Sequence, residues 1–268
     1  MEQIKEIAPL RTILPMFQTI ECETNCPKHG LVRGFRYVRE GVEEDYKNAP
    51  ICPMCEKEQT EREEQEARER EERYQRQQFE SLMRDRNIEP EYWDKELSDY
   101  TPQTEEQKKA LEAVTDLINT KTGKVILLGS NGVGKTLLGS IAVKELGGKI
   151  LSMYEITTMI RQSYLARAEK TELEITKELA SLPMLVIDEI GRTKGSDAEL
   201  NWLSYILDKR HTRRLPFMIL SNTHLSRDCP KKGCDSCFER FVNNDVLSRL
   251  RQETKIITIK APDYRGRK

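Results

Sequence analysis

Apolar residues in this chain fall into short runs set among long polar stretches, and the rhythm changes twice along its length. From about residue 85, strand-like runs (KVILLG at 124–129, KILSMY at 149–154, MLVIDE at 184–189, PFMILSN at 216–222, KIITIK at 255–260) alternate with segments of helical period such as 105–118 and 197–209. That alternation predicts an α/β domain, a parallel sheet flanked by helices on both faces. Residues 56–84, opening EKEQTEREEQEARER, are dominated by Glu, Arg and Gln. Opposite charges recur there four apart, as in Glu58 and Arg62, Glu64 and Arg68, Glu66 and Arg70, and Glu72 and Arg76. Each pair supports a helix by only about 0.2–0.5 kcal/mol, yet several together predict a solvated helical linker. Residues 1–55 show little helical period. The expected organisation is therefore a small module at 1–55, a charged helical linker at 56–84 and the α/β domain at 85–268, with no internal repeat.

Length and composition fit one medium domain with a smaller attachment: 268 residues, 33% charged, 37% hydrophobic, net charge -1. A total so close to zero argues neither for nor against nucleic acid, because a basic face can hide inside it. The apolar runs are too short to cross a membrane, and Glu2, Lys5 and Glu6 interrupt any opening signal segment. The expected compartment is the cytoplasm, with no membrane partner. Cysteines there stay reduced, and clustered ones more often bind metal than form disulfides.

Two stretches carry nucleotide chemistry. GSNGVGKT at 129–136 matches the phosphate loop G-x-x-x-x-G-K-[ST], after an apolar strand and before the helical LLGSIAVKEL. With Asn131 and Val133 between Gly129, Gly132 and Gly134, the loop can wrap its N–H groups around phosphates. Lys135 supplies a charge for the β and γ oxygens, and the Thr136 hydroxyl can ligate Mg²⁺. Some fifty residues on, MLVIDE ends an apolar strand in two acids: Asp188 for the metal and Glu189 to polarise an attacking water. The intact pair favours hydrolysis of ATP over a non-hydrolysing clamp. PFMILSN puts Asn222 at a strand's carboxyl end, where ligands of open α/β sheets sit, to orient the water or touch the γ-phosphate; the alternative is a turn cap.

The cysteines add a second chemistry. Cys26-x₂-His29 and Cys52-x₂-Cys55 form two knuckles suited to a structural zinc (Zn²⁺) with all four positions filled by protein. Cys22 competes with His29 for the fourth place. His29 is favoured because Gly30 follows it and allows the tight turn a knuckle needs. A segment this poor in apolar residues can scarcely hold a core without the metal. Further on, Cys229, Cys234 and Cys237 in DCPKKGCDSC are one ligand short, with His224 the nearest candidate; a reduced surface loop is the other reading.

The order GSNGVGKT, LVIDEIG, ILSNTHL, ERFVNNDVLSRL resembles the AAA+ ATPases of the DnaC/IstB helicase-loader group over roughly residues 90–268. The resemblance implies a P-loop NTPase without a lid domain. It assigns Arg249 of LSRL as the finger that reaches a neighbouring subunit's ATP, with Arg240 and Arg251 as competitors, and Arg265 of APDYRGR as a sensor in cis. A finger of this kind is typically worth ~10³–10⁵ in rate, which makes self-association part of the expectation. The family also carries an extra helical element along the path of single-stranded DNA; here it falls on residues 156–182, with Arg161, Arg167, Lys170, Lys177 and Tyr164. The basic run 209–214 is left between DNA and an adjoining subunit. Phage relatives of the loader resemble this chain in replacing a helical amino-terminal part with a zinc module, which implies docking of 1–55 on a hexameric replicative helicase. Direct DNA contact through Lys28, Arg33, Arg36 and Arg39, with Phe35 and Tyr37 as stacking faces, is the rival role. The function expected is an ATP-dependent loader delivering the helicase onto single-stranded DNA; the alternative is an IstB-like transposition helper.

Overall fold

A computed structural model describes residues 17–39, 42, 45, 47–191, 196–229, 231, 234, 237–242, 247, 250 and 253–264. The chain divides into two compact units, 1–77 and 78–268.

In the first unit, β1 (Phe17–Cys26) and β2 (Gly30–Arg39) form an antiparallel hairpin, in register from Phe17↔Arg39 to Cys26↔Gly30. The turn at 27–29 closes on Gly30, whose φ of +72° is the left-handed conformation that glycine adopts without a side-chain penalty. Ile51 returns to bond Phe35 in both directions, N–H to carbonyl at 3.0 and 2.7 Å. Arg39 grips Asp45 through Nε and a backbone N–H at 2.8 and 3.0 Å. The buried apolar residues described before α1 are Cys26, Phe35, Val38 and Cys52. Two strands with so little to bury are marginal on their own.

Helix α1 (Pro53–Asp85) starts on a proline, which the first turn accepts because its N–H has no helical partner. It is exposed along nearly all its length and laced with four-apart contacts such as Arg62–Glu66 at 2.9 Å and Gln65–Glu69 at 3.0 Å. The helix runs through residue 55, where the sequence divided module from linker, so Cys55 lies in its opening turn. Glu58 does not follow the expected pairing with Arg62; it turns to Lys28 and His29.

The second unit is built on a five-stranded sheet in the order β4-β5-β6-β3-β7, every described pairing parallel. The strands are β3 (Lys124–Gly129), β4 (Lys149–Ser152), β5 (Leu185–Asp188), β6 (Phe217–Ser221) and β7 (Thr254–Ile259). Alternate side chains go to opposite faces. Val125 and Leu127 of β3 pack with Val186, Met218 and Leu220 under α2 (Glu105–Thr120) and α3 (Lys135–Leu146). Ile126 and Leu128 pack with Leu185, Ile187 and Ile219 under α4 (Met153–Gln162), α5 (Glu172–Ser181) and α6 (Asp197–Thr212). Burial on both faces explains why these strands read as continuous apolar runs. The run KILSMY is strand only to Ser152. There the Ser152 hydroxyl accepts the Glu155 N–H while the Glu155 carboxylate accepts the Ser152 N–H, a capping box that starts α4.

Candidate active site and metal centre

β3 lies inside the sheet between β6 and β7, so the loop leaving its carboxyl end opens at the edge where parallel sheets bind ligands. Residues 129–134 form that loop, and α3 begins at Lys135. Gly134 caps the helix at φ +90°; a Cβ there would sit 2.5 Å from the Tyr100 ring. Thus glycine is required twice over, by conformation and by space. N–H groups at a helix start, with its partial positive charge, make a phosphate site.

The side chains converge on this loop. Lys135 Nζ donates to the carbonyls of Gly129 and Ser130 at 2.9 and 2.7 Å and to Asn222 Oδ1 at 2.9 Å. Thr136 Oγ1 donates to Asp188 Oδ2 at 2.9 Å, and the Glu189 N–H donates to Asp188 Oδ1 at 2.6 Å. Burial pushes the Asp188 carboxyl above its ordinary value, opposed by these two hydrogen bonds and by the Lys135 charge. Glu189 has φ +58°, a left-handed backbone that costs a non-glycine residue about 1–3 kcal/mol and persists where the surroundings enforce it. β5 and β6 deliver these groups: Asp188 ends β5, and Asn222 follows β6 directly.

Sequence reasoning missed two tyrosines and an aspartate. Tyr100 is buried beneath the loop, donates its hydroxyl to the Val133 carbonyl at 3.3 Å, and is pushed up to about 12 by burial. Tyr264 donates its N–H to the Gly132 carbonyl at 3.1 Å and its hydroxyl to the Thr101 carbonyl at 3.2 Å. Asp263 lies so close to Gly132 that a Cβ there would fall 1.6 Å from its carboxylate. Only their neighbour Arg265 had been singled out, and the short motif DYR was the available signal. Arg249, Arg251 and Arg265 lie outside the described residues; Arg240 is described and exposed.

In the first unit, Cys26, His29, Cys52 and Cys55 come together with their ligand atoms within 4.8 Å of one another. His29 Nδ1 lies 3.7 Å from Cys26 Sγ, 3.6 Å from Cys52 Sγ and 3.3 Å from Cys55 Sγ, and Cys26 and Cys55 are 3.4 Å apart. A tetrahedral zinc with Zn–S of about 2.3 Å and Zn–N of about 2.0–2.1 Å has N···S edges of about 3.6 Å and S···S edges of about 3.8 Å. The donor set fits. Backbone N–H groups of His29 and Lys28 hold the Cys26 thiol down at about 6, towards the thiolate that binds metal, while hydrogen bonding to Cys26 and burial push Cys55 up to about 11. The far nitrogen of His29, Nε2, faces Glu58 Oε1 at 3.3 Å, the carboxylate contact that commonly orients a ligating histidine. Glu58 is a further residue the sequence reading missed. Cys22 is not among the gathered ligands.

The basic residues of the second unit sort into different roles. Arg161 pairs with Glu199 at 3.6 Å, Lys170 with Glu178, and the Tyr164 hydroxyl donates to Glu172. Lys177, Lys209 and Arg213 line one surface cavity of about 380 Å³ with Tyr205. Arg210, in the middle of the basic run, is fully buried and donates to the carbonyls of Leu179, Leu182, Pro183 and Pro216. It fastens α6 to the segment after α5 and offers nothing to DNA or a neighbour. Burial lowers its pKa to about 9, which leaves it charged at neutral pH.

A family model described as "IstB-like ATP binding protein" matches residues 60–268. The chain belongs to this family. It is 26% identical over 146 residues to the replicative helicase loader DnaC of Escherichia coli strain K12, an alignment that takes in 52% of this chain and 59% of DnaC. It thus spans about three-fifths of the length of the curated relatives it matches. A crystal structure of the DnaC helicase loader is covered in full by 64% of this chain, at 24% identity and a TM-score of 0.50. The replication initiator DnaA bound to AMPPCP and single-stranded DNA shares 17% identity over 65% of this chain and 51% of DnaA, at a TM-score of 0.52. The fold is that of these structures, a parallel sheet flanked by helices, and it is preceded in the chain by a Cys/His cluster compatible with a zinc module. Among the described residues, no helix is long and apolar enough to cross a membrane.

Proposed function

We propose that this IstB-like protein is an ATP-dependent loader that binds a hexameric replicative helicase and delivers it onto single-stranded DNA. The observation that carries the enzymatic half is the linked set Lys135–Asn222 and Thr136–Asp188 at the mouth of the loop. The phosphates of ATP take Lys135 Nζ from the carbonyls of Gly129 and Ser130, and Asn222 keeps the ammonium aimed at the γ-phosphate. Thr136 and Asp188 would hold magnesium, which would supply charge neutralisation to the phosphates. Glu189, placed by its strained backbone at the end of β5, orients and deprotonates the attacking water. Arg249 of a neighbouring subunit completes the site, so hydrolysis follows self-assembly. Replacing Glu189 by Gln is expected to lower the ATPase rate by ~10²–10⁴ while ATP still binds; an unchanged rate removes Glu189 from the chemistry.

The likeness to DnaC supports the helicase partner, and the hairpin unit is its docking module. Zinc at Cys26, His29, Cys52 and Cys55 supplies the folding free energy that the thin hairpin core lacks. Lys177, Lys209 and Arg213 are the proposed phosphate contacts for single-stranded DNA, with binding that weakens steeply as salt rises. The family match favours one other reading, a transposition helper. Size-exclusion chromatography with light scattering, on this protein mixed with ATP and its host's replicative helicase, separates the two. A co-eluting complex that disappears when residues 1–55 are deleted is expected. No complex, with single-stranded DNA still bound, overturns the loader reading in favour of the helper.

A further inference from the structure

The second unit holds a cysteine cluster that the ATPase reading does not use. His224 follows β6 by three residues, and Cys237 pairs with it as an isolated parallel bridge, the Phe238 N–H donating to the His224 carbonyl at 2.8 Å. Both ends of this crossing are anchored in the core, because Leu225, Phe238 and Val242 are buried against the α6 face of the sheet. Between them, Ser226–Asp228 makes a short 3-10 turn that delivers Cys229. The Glu239 carboxylate accepts the Ser226 N–H at 2.9 Å and its hydroxyl at 2.9 Å, tying that turn to the one after Cys237. The result brings His224, Cys229, Cys234 and Cys237 together, their ligand atoms within 4.8 Å of one another.

The geometry points to a second structural zinc site, closed by His224, Cys229, Cys234 and Cys237. His224 Nε2 lies 3.6 Å from Cys234 Sγ and 3.6 Å from Cys237 Sγ, the N···S edge of about 3.6 Å that a tetrahedral zinc requires. All four positions come from protein, and the donor set is Cys₃His, as in the first unit, with the opposite ring nitrogen of histidine turned to the thiols. Three cysteines and a histidine fit zinc better than the hard cations, which take oxygen. A disulfide would consume only two of the three thiols, and all three are reduced.

The position gives the metal a task. Asn222 holds Lys135 and stands two residues before His224, and the Thr223 between them is buried and hydrogen-bonded to Ser221 at 2.8 Å. Zinc therefore staples the segment that presents Asn222 to the phosphate loop, so filling the site and positioning Asn222 are coupled.

Metal counting on the full-length protein tests this without relying on the helicase-loading proposal. Cobalt(II) titration of the metal-stripped wild type, read by thiolate-to-cobalt absorption, is expected to saturate at two equivalents per chain. Elemental analysis of the zinc-loaded protein is expected to give two zinc ions, falling to one in Cys234→Ser/Cys237→Ser and to one in Cys26→Ser/Cys52→Ser. Saturation of the wild type at one equivalent, lost with the Cys26 and Cys52 substitutions, overturns the second site. One equivalent that survives those substitutions and vanishes with the Cys234 and Cys237 pair upholds it and removes the first site instead. The two-equivalent endpoint is read on unmutated protein, so a variant that fails to fold does not blur it.

Discussion

The two units of this chain solve the same problem with different materials. In the second, each interior strand buries one set of side chains upward and the other downward, so Ile126, Leu127 and Leu128 are all shielded from water within three consecutive positions. In the first, two ten-residue strands carry Glu21, Glu23, Arg33 and Arg39 on their surface and bury little beyond Phe35 and Val38. Folding one unit removes apolar area from water, at roughly 25 cal/mol per Å². Folding the other gathers Cys26, His29, Cys52 and Cys55 around one point, and where such a set holds a structural metal, the metal's binding free energy is the folding free energy. A hairpin held in this way can present a polar surface to a partner, because it needs no apolar face for itself.

That contrast can be broken or sharpened in order of effect. Leu127→Ala, which opens a cavity at the centre of the sheet, is expected to cost the second unit about 2–5 kcal/mol in urea unfolding, with the zinc of the first unit unchanged. A loss below 1 kcal/mol would mean that the core is looser than its burial indicates. Glu58→Gln removes the carboxylate behind His29 and is expected to weaken zinc retention in the first unit by ~10–100-fold against a competing chelator. The unfolding of the second unit should not move. Equal retention would reduce the Glu58–His29 contact to an incidental ion pair with Lys28. Smallest is Asp188→Asn in the nucleotide-free protein. Burial raises the Asp188 pKa, so ionising it opposes folding; the wild type gains stability as pH falls and loses it as pH rises through the raised value. The variant should therefore melt higher at neutral pH, by about 2 °C, with the advantage fading at acidic pH. An advantage that grows with acidity would reverse the sign of the argument.

Legibility in the sequence follows the same divide. The phosphate loop was readable because its chemistry is local: eight adjacent residues specify glycine turns, a lysine and a hydroxyl. Asp188 and Asn222 were readable because they end apolar strands, and a parallel sheet brings strand ends to one edge. Ser152 carried its own stop signal, three residues ahead of Glu155, which an unbroken reading of KILSMY overrode. Tyr100 and Tyr264 were not readable, since they reach the loop from about thirty residues before it and well over a hundred after, and only packing joins them. Arg210 looked like its basic neighbours; a helix turns each residue of such a run to a different side, and that position faced the core. Glu58 had an apparent partner four residues on in Arg62, worth a few tenths of a kcal/mol, against His29 and Lys28, which only the folded hairpin brings to it. The hairpin itself escaped notice because alternation of apolar and polar positions is faint where neither face is deeply buried.

The most direct test of metal against core as the source of each unit's stability is hydrogen exchange on the full-length wild type and on Cys52→Ser. The account predicts that amides of β1 and β2 lose their protection in the variant while those of β3, β5 and β6 keep theirs. Retained protection of the hairpin in a protein shown to lack that zinc would contradict it.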